Sequence, residues 1–197
     1  PVVGRVNDIE STSGSLFAVG NNSGGSGNDL LQEWNGNTWL EATGKGLPPT
    51  TSSLATYNSN VYVGHETRAF SYNGVTSYEG VFEWNTNTQS MSALGDGLTN
   101  STIPGTGITP TGIITALVTT SNGFLYASGA FNEADGLPVN DFALWNGSFW
   151  ESVGGGLSDA AEVLVISSNG DLYAGGYFTS AGGSSAKRVA GWNGTTG

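Results

Sequence analysis

Apolar and polar positions recur in the same order four times along the chain. Each copy has a short apolar run that ends in glycine and, further on, a Trp-Asn pair. The runs occupy residues 16–20, 61–64, 125–129 and 172–176, and the pairs stand at 34–35, 84–85, 145–146 and 192–193. The tryptophans of these pairs are 50, 61 and 47 residues apart. A period of this size is typical of propellers and repeat arrays and predicts one repeated architecture.

The fourth copy shows the elements of one repeat. Two β-rich runs, 163–166 and 172–176, are joined through Asn-Gly at 169–170, a pair that is typical of tight hairpin turns. A Gly/Ser loop at 180–185 leads to a third run that ends at Trp192. In the first and third copies a fourth run follows, at 38–42 and 149–153, and a Gly-x-Gly-Leu turn closes it. Four short antiparallel strands in about 50 residues form the blade of a β-propeller.

We therefore expect an all-β fold, a propeller or propeller segment with four blades at 1–47, 48–98, 113–157 and 158–197. Residues 99–112, rich in Thr, Gly and Pro, form an inserted loop. Solenoid-like stacking of the four units stays open as an alternative. The last blade lacks the sequence of an outer strand, and such an edge invites pairing with another strand.

The N-terminal segment 1–6 is a candidate for that missing strand, either by closing a ring or by pairing with a neighbouring molecule. A last blade cut short within a larger protein is the alternative. The candidate assembly residues are Pro1, Val2, Val3, Val6, Trp192 and Thr195.

Composition excludes several classes of function. The chain has 16 acidic and 5 basic residues, a net charge of −11, and only 11% charged residues. Such a surface repels phosphate backbones and anionic membranes, so nucleic acid is not an expected partner. Cysteine is absent, which excludes disulfides, thiolate metal sites and cysteine nucleophiles. No stretch approaches the roughly 20 apolar residues of a membrane span.

Residues of the fourth copy resemble a known repeat. The segments Leu172–Phe178, Ala181–Gly183 and Val189–Gly194 are similar to the repeats of secreted kelch-like, galactose-oxidase-type propellers. Bacterial extracellular repeat proteins and fungal surface proteins of the cortical-marker type look similar, and the match covers nearly the whole chain. The resemblance implies blade architecture and an extracellular or cell-surface location. The copper chemistry of the oxidases needs Tyr, Cys and His ligands and is not implied, because Cys is absent.

The sequence gives only weak support for a catalytic or metal-binding function. His65 is the only histidine, and we interpret it as a surface residue. The acids Asp8, Glu10, Glu133, Asp135 and Asp141 stand near predicted loops. A glycosidase needs two carboxylates that face each other, and the sequence does not place these. The segment 132–136 matches a calcium loop only weakly, since the distal Glu is missing, so we expect no cofactor and keep Ca²⁺ as the weak alternative.

Two kinds of association with sugars are candidates: covalent N-glycosylation, and stacking of sugar rings on tyrosines. N-glycosylation triplets begin at Asn21, Asn100, Asn146 and Asn193, all in predicted loops or turns. Tyr72, Tyr78 and Tyr177 could stack on sugar rings if they face one cleft, although blade alternation favours packing roles for most tyrosines.

The sequence favours a non-catalytic extracellular module that acts in adhesion or as a building block of a surface assembly or filament. Its expected partners are itself, other surface proteins or glycans. A lectin-like carbohydrate-binding propeller is the second hypothesis, and a glycoside hydrolase or lyase with a facial cleft is the third.

Overall fold

The computed structural model describes residues 3–12, 14–22, 29–44, 47, 50–66, 71–72, 75–76, 79–102, 104 and 112–193. These residues are all-β. Four main antiparallel sheets follow one another along the chain, and no helix occurs in the described ranges. The described part of the chain thus contains no helix of the length and hydropathy that a membrane crossing requires.

The first two sheets are four-stranded meanders. The first contains β1 (Val3–Ser11), β2 (Leu16–Asn22), β3 (Asp29–Trp34) and β4 (Trp39–Glu41). The second contains β5 (Thr51–Tyr57) and β6 (Asn60–His65), then, after the short hairpin of β7 (Ser71–Tyr72) and β8 (Val75–Thr76), β9 (Val81–Asn85) and β10 (Ser90–Ala93). Within each of these sheets, every strand pairs with the strand of the same sheet that precedes or follows it in the chain.

The last two sheets repeat this order. After β11 (Leu98–Thr99), the third sheet contains β12 (Ile113–Thr119), β13 (Leu125–Ala130), β16 (Phe142–Trp145) and β17 (Trp150–Ser152), and β11 pairs with the hairpin of β14 (Glu133–Ala134) and β15 (Leu137–Pro138). The fourth contains β18 (Ala161–Ile166), β19 (Leu172–Gly176) and β22 (Val189–Trp192), with a hairpin of β20 (Ser180–Ala181) and β21 (Ser184–Ser185). The predicted Gly/Ser loop at 180–185 therefore contains strand pairing.

Glycines of the Asn-Gly pairs produce these tight turns. Gly36, Gly123, Gly147 and Gly170 have φ between 88° and 98°. Glycine adopts this left-handed region without a steric cost, whereas other residues are strained there. The turn predicted at residues 169–170 is confirmed, and the other three pairs have the same backbone conformation.

Each sheet packs against the next through an apolar cluster. The clusters lie between the first and second, second and third, and third and fourth sheets. One leucine of each Gly-x-Gly-Leu motif is buried in each of the clusters: Leu47, Leu98 and Leu157. The motif therefore anchors the connection between successive sheets.

A β-bulge recurs at the same place in the first hairpin of all four sheets. In the first three sheets the extra residue donates a side-chain hydrogen bond to a backbone carbonyl of the next sheet. The bonds are Asn7 Nδ2 to Thr51 O (2.6 Å), Ser52 Oγ to Ile114 O (2.5 Å) and Thr115 Oγ1 to Ala161 O (2.6 Å). The fourth bulge residue is Glu162, which is exposed. The same polar contact thus joins each consecutive pair of sheets.

The second-strand residue that pairs with the residue just before the bulge is glycine in three sheets (Gly20, Gly129 and Gly176) and His65 in the second. The Cβ of His65 stands where Gly20 and Gly129 lie against a backbone carbonyl in their sheets. Those carbonyls belong to Arg5 and Ile113. The corresponding residue of the second sheet is Thr50, which has φ of 73°, and we attribute the room for His65 to this turned backbone. His65 is fully buried, with its ring 6.0 Å from that of Phe82, so the prediction of a surface histidine is wrong.

Acidification is expected to stabilise the fold. Burial raises the pKa of the Glu10, Glu79, Glu83 and Asp141 carboxyl groups. Between the ordinary and the raised pKa the folded state binds more protons than the unfolded state, so stability falls as pH rises through that window. We expect the urea midpoint to increase as pH is lowered from about 8 towards about 5.

The variant Glu83→Gln is expected to reduce this pH dependence in part, because Glu83 no longer titrates while Glu10, Glu79 and Asp141 still do. Glu41→Gln, on an exposed residue of β4, is the control. Equal pH dependence in Glu83→Gln and the unaltered chain would contradict the assignment.

Candidate functional site

Among the described residues, the fourth sheet has an edge with no strand beside it. In the other three sheets the third strand pairs on its outer side with β4, β10 or β17. No described strand pairs with the outer edge of β22. Such an edge presents backbone N–H and C=O groups that another extended segment can bind.

A cavity of about 570 Å³ lies beside this edge, and we call it the Trp192 slot. Trp192, Gly191 and Tyr173 of the sheet form one part of its wall. The rest comes from two glycine turns, at Gly154 and Gly182, and from the polar residues Asp171 and Asn193. The slot therefore combines aromatic surface, glycine backbone and polar groups.

The third sheet shows what occupies this place when an outer strand is present. Trp145 pairs with Leu125 as Trp192 pairs with Leu172, so the two tryptophans are equivalent. Trp150 of β17 packs on Trp145 with ring centroids 5.6 Å apart. The first sheet has the same arrangement, with Trp34 and Trp39 at 5.5 Å. Trp192 thus lies where an outer-strand side chain packs in the other sheets, a tryptophan in the first and third and Met91 in the second. Tyr173 and Gly191 line the same cavity from the other face of the sheet.

Trp150 also makes two polar contacts in its slot. Its indole N–H donates to Leu94 O at 2.9 Å, and its backbone N–H donates to Asp135 Oδ2 at 2.7 Å. In the fourth sheet Val153 stands at the place of Leu94 and Gly182 at the place of Asp135. A backbone carbonyl is therefore present at the place of Leu94, and no carboxylate stands at the place of Asp135, where a Cβ added to Gly182 would lie 2.9 Å from Gly154 O.

The side of the fourth sheet that faces away from the third is apolar and exposed. We call it the open face, formed by Val163, Val165, Tyr173 and Val189, which are between 45% and 65% exposed. The equivalent residues of the third sheet pack against the fourth: Ala116, Val118, Tyr126 and Phe142. The open face thus has the composition of a surface that the third sheet buries.

The N-terminal strand does not pair with the last sheet, contrary to one of the predictions from the sequence. Val3 begins β1, which pairs with β2 along its length and not with β22. Pairing with the next strand in the chain closes only a short loop and costs little entropy. The prediction that this segment supplies the missing strand within the chain is wrong. Val6 is half exposed in β1, and Pro1, Val2 and Thr195 lie outside the described residues.

The four glycosylation asparagines differ in what their side chains bind. Asn21 Oδ1 accepts the N–H of Arg5, and Asn100 Nδ2 donates to Ala130 O. Asn146 Oδ1 accepts two N–H groups of its turn, and its Nδ2 donates to Glu151. Asn193 is exposed beside the Trp192 slot. Glycosylation at all four positions stays a prediction.

Only one of the three predicted stacking tyrosines can be located. Tyr177 is 64% exposed, and the guanidinium of Arg188 lies 5.5 Å from its ring centroid. The side chain of Tyr72 and the whole of Tyr78 lie outside the described residues. A common cleft for the three stays a prediction. Tyr173, which the sequence did not single out, is the tyrosine that lines the Trp192 slot.

The candidate carboxylates bind backbone N–H groups. Asp8 accepts from Leu54, Asp141 from Phe131 and Asp135 from Asp96, in addition to its bond from Trp150. The side-chain oxygen of Asn132, in the weak calcium segment, accepts from Ser101. Within the described residues no three His, Cys, Asp or Glu side chains lie together as a metal site. These contacts give Asp8, Asp135 and Asp141 structural roles.

Comparison with known proteins identifies similar folds only. No family model and no curated protein matches the chain. Of the solved structures, the computationally designed protein Ika4 is 13% identical with a TM-score of 0.55, and the match covers 95% of this chain and 90% of Ika4. The designed protein Ika8 is 15% identical with a TM-score of 0.55, over 97% of this chain and 46% of Ika8.

A third match is PorZ, a bacterial surface component of the type IX secretion system of Porphyromonas gingivalis. It is 16% identical with a TM-score of 0.57, over 94% of this chain and 24% of PorZ. The neighbours are β-propeller-like, and the kelch-type family that the sequence resembles is not confirmed. At these identities the matches support the all-β fold of successive sheets and carry no function to this chain.

Proposed function

We propose that the chain is a non-catalytic extracellular β-propeller module, kelch-like in its repeats, that serves as a building block of a surface assembly or in adhesion. The open face of the fourth sheet carries the proposal. Exposed β-branched and aromatic residues that continue a buried pattern are the usual mark of an interaction surface.

The regular contacts between sheets support the same role. Each of the first three sheets presents an apolar face and one polar bulge residue to the next sheet. The fourth presents an apolar face of the same kind, with Glu162 at the bulge. A partner that covers this face would extend an arrangement that the chain already uses three times.

The surface location of PorZ is consistent with an extracellular role, but it is a property of that protein. PorZ is four times longer than the part that this chain matches. We propose an extracellular location for this chain as well, and its acidic, cysteine-free composition is consistent with it.

A lectin-like role is the second candidate, and one observation favours it. The ring of Tyr173 lies close to Gly191, and Trp192, Asp171 and Asn193 line the same cavity. Aromatic surface beside carboxylate and amide groups suits a sugar ring. Retention on a glycan array that Tyr173→Ala abolishes, without loss of folding, would favour this candidate over assembly.

Light scattering tests the assembly role. We expect the chain to associate in a concentration-dependent way and the double variant Val163→Asp, Val165→Asp to have the mass of a single chain, because the charges oppose burial of the open face. Leu137→Asp is the matched control, since Leu137 is 63% exposed on β15, away from that face.

Two results would contradict the proposal. One is a single-chain mass for the unaltered protein at every concentration. The other is an equal loss of association in Leu137→Asp, which would show that added charge, and not the open face, controls the mass.

A further inference from the structure

We infer that Asn35 and Asn146 are sites of covalent self-modification, at which the folded protein deamidates to aspartate or isoaspartate. Both residues open what we call the outer-strand turns, which join the third strand of a sheet to its outer strand. These turns lie at 35–38 in the first sheet and at 146–149 in the third. Each asparagine is followed by glycine. The reaction needs only water and does not depend on the proposed role in assembly.

Deamidation of an Asn-Gly pair begins within the backbone. The amide nitrogen of the glycine forms a bond to Cγ of the asparagine, the Cγ–Nδ2 bond breaks, and ammonia leaves with the proton of the glycine N–H. The product is a five-membered succinimide ring. Water then opens the ring at one of its two carbonyl carbons, which gives aspartate or isoaspartate. One water is consumed and one ammonia is released, so no oxidant or reductant takes part. Glycine favours the ring closure because it has no Cβ to crowd the nitrogen.

The four described Asn-Gly pairs differ in the state of the glycine N–H, although their glycines have nearly the same φ, between 88° and 98°. Two pairs lie in the turns between the first and second strands, which we call the first-hairpin turns. There the glycine N–H donates to a backbone carbonyl: Gly123 to Thr120 O at 3.0 Å and Gly170 to Ser167 O at 2.9 Å. No hydrogen bond among the described residues uses the N–H of Gly36 or Gly147. A bonded N–H has to leave its acceptor before the nitrogen can attack, so the outer-strand turns present the better nucleophiles.

The outer-strand turns also prepare the side-chain carbonyl for attack. In both turns the asparagine Oδ1 accepts two backbone N–H groups of the same turn. The donors are Asn37 (3.0 Å) and Thr38 (2.9 Å) for Asn35, and Ser148 (2.9 Å) and Phe149 (3.1 Å) for Asn146. Negative charge develops on Oδ1 when the nitrogen attacks Cγ, and donors already aimed at this oxygen stabilise it.

The first-hairpin turns lack this arrangement. Asn122 Oδ1 accepts the hydroxyl of Thr120, and Asn169 Oδ1 accepts the hydroxyl of Ser167, so a single side chain replaces the two backbone donors. Asn169 Nδ2 is in addition bonded to Asp171. The two kinds of turn therefore share the Asn-Gly sequence and the glycine backbone but differ in both reacting groups.

A carboxylate distinguishes the two outer-strand turns from each other. Asn146 Nδ2 donates to Oε1 of Glu151. In the register of the outer strands, Leu40 of the first sheet stands at the place of Glu151. The negative charge of Glu151 opposes the charge that develops on Asn146 Oδ1, and its hydrogen bond holds the amine that has to leave. We therefore expect Asn35 to react faster than Asn146.

The two products differ in their effect on the turn. Both add a negative charge to a chain whose net charge is −11. Aspartate keeps a side-chain oxygen at the position of Oδ1, so it can still accept the two N–H groups. Isoaspartate lengthens the main chain by one carbon, so the turn no longer fits its donors and the outer strand is held less firmly.

Peptide mapping of the aged protein tests the inference. The unaltered chain is kept folded in mildly alkaline buffer and digested with chymotrypsin, and mass spectrometry measures the mass gain of deamidation at each Asn-Gly pair. We expect the rate at Asn35 to be at least about fivefold higher than at Asn122 and Asn169, with Asn146 between them. Equal rates at the four pairs in the folded chain would overturn the inference.

The same chain unfolded in urea is the reference. The turns are absent there, so we expect the four rates to lie close together. If the ranking of the folded chain persisted in urea, the local sequence and not the turn would control the reaction, and the inference would be wrong.

A reciprocal pair of substitutions tests the role of the carboxylate. Glu151→Leu should raise the rate at Asn146, and Leu40→Glu should lower the rate at Asn35. Both residues are exposed, so we expect both variants to fold. In each variant the unaltered outer-strand turn is the internal control, and its rate should not change. An unchanged or lower rate at Asn146 in Glu151→Leu would overturn the ranking of the two turns.

Discussion

Replacement of Trp150 by alanine is expected to lower the free energy of unfolding by about 3–5 kcal/mol, the usual cost of deleting a buried large aromatic side chain. Trp150 is 2% exposed and packs on Trp145, and its indole N–H donates to Leu94 O. The substitution removes the apolar contacts, leaves a cavity between the second and third sheets, and deprives a carbonyl of its donor. Urea unfolding followed by far-UV circular dichroism would measure the change.

The neighbouring residue provides a matched control. Phe149 is 53% exposed, so Phe149→Ala should change stability by about 0.5 kcal/mol or less. Trp150→Phe keeps an aromatic ring and loses the hydrogen bond, and we expect an intermediate cost. Equal effects of Trp150→Ala and Phe149→Ala would show that the outer-strand tryptophan does not hold the third sheet together, and the interpretation of the Trp192 slot would fail with it.

Replacement of Gly129 by alanine is the second large effect that we expect, about 3 kcal/mol or more. A Cβ built at Gly129 would lie 1.9 Å from the carbonyl oxygen of Ile113 and 2.9 Å from the Cα of Ile114. Both atoms belong to the backbone at the β-bulge, where Thr115 bonds to the fourth sheet, so they cannot move aside without disturbing that contact. Thermal and urea unfolding would measure the loss.

Gly175→Ala is the control for this substitution. Gly175 lies in β19, one residue before the equivalent of Gly129, and a Cβ there would meet no atom closer than 3.9 Å. We expect a change within about 0.5 kcal/mol. If Gly129→Ala were as mild, the backbone at the bulge would be able to turn as it does at Thr50, and the close approach would not be what requires glycine.

Much of the fold followed from local patterns. The Asn-Gly pair at 169–170 predicted a tight turn, because only a few residues accept positive φ there, and the structure confirms it. The runs 163–166 and 172–176 were predicted as a hairpin and form β18 and β19. These features depend on neighbours in the chain, which the sequence displays directly.

The candidate site was predicted only in part. Trp192 was named from the unfinished last repeat, but its slot was not, although the five-residue spacing of Trp34 to Trp39 and Trp145 to Trp150 was a usable signal. Gly154 and Gly182 line the slot only because two turns, far apart in sequence, meet beside β22. Nothing in the sequence distinguishes Tyr173 from Tyr126, its equivalent in the third sheet, which is partly buried.

The sequence by itself determined the number of repeats, the all-β class and the turns, because hydrophobic alternation and turn chemistry act over a few residues. Tertiary structure alone decided which faces are covered. The apolar run at 163–166 has the pattern of a strand buried on both sides, yet Val163 and Val165 are exposed because no described sheet lies against them. His65 was interpreted as a surface residue and is buried, because the backbone at Thr50 makes room for it. Burial depends on what packs against a residue, and that partner is distant in sequence or belongs to another molecule.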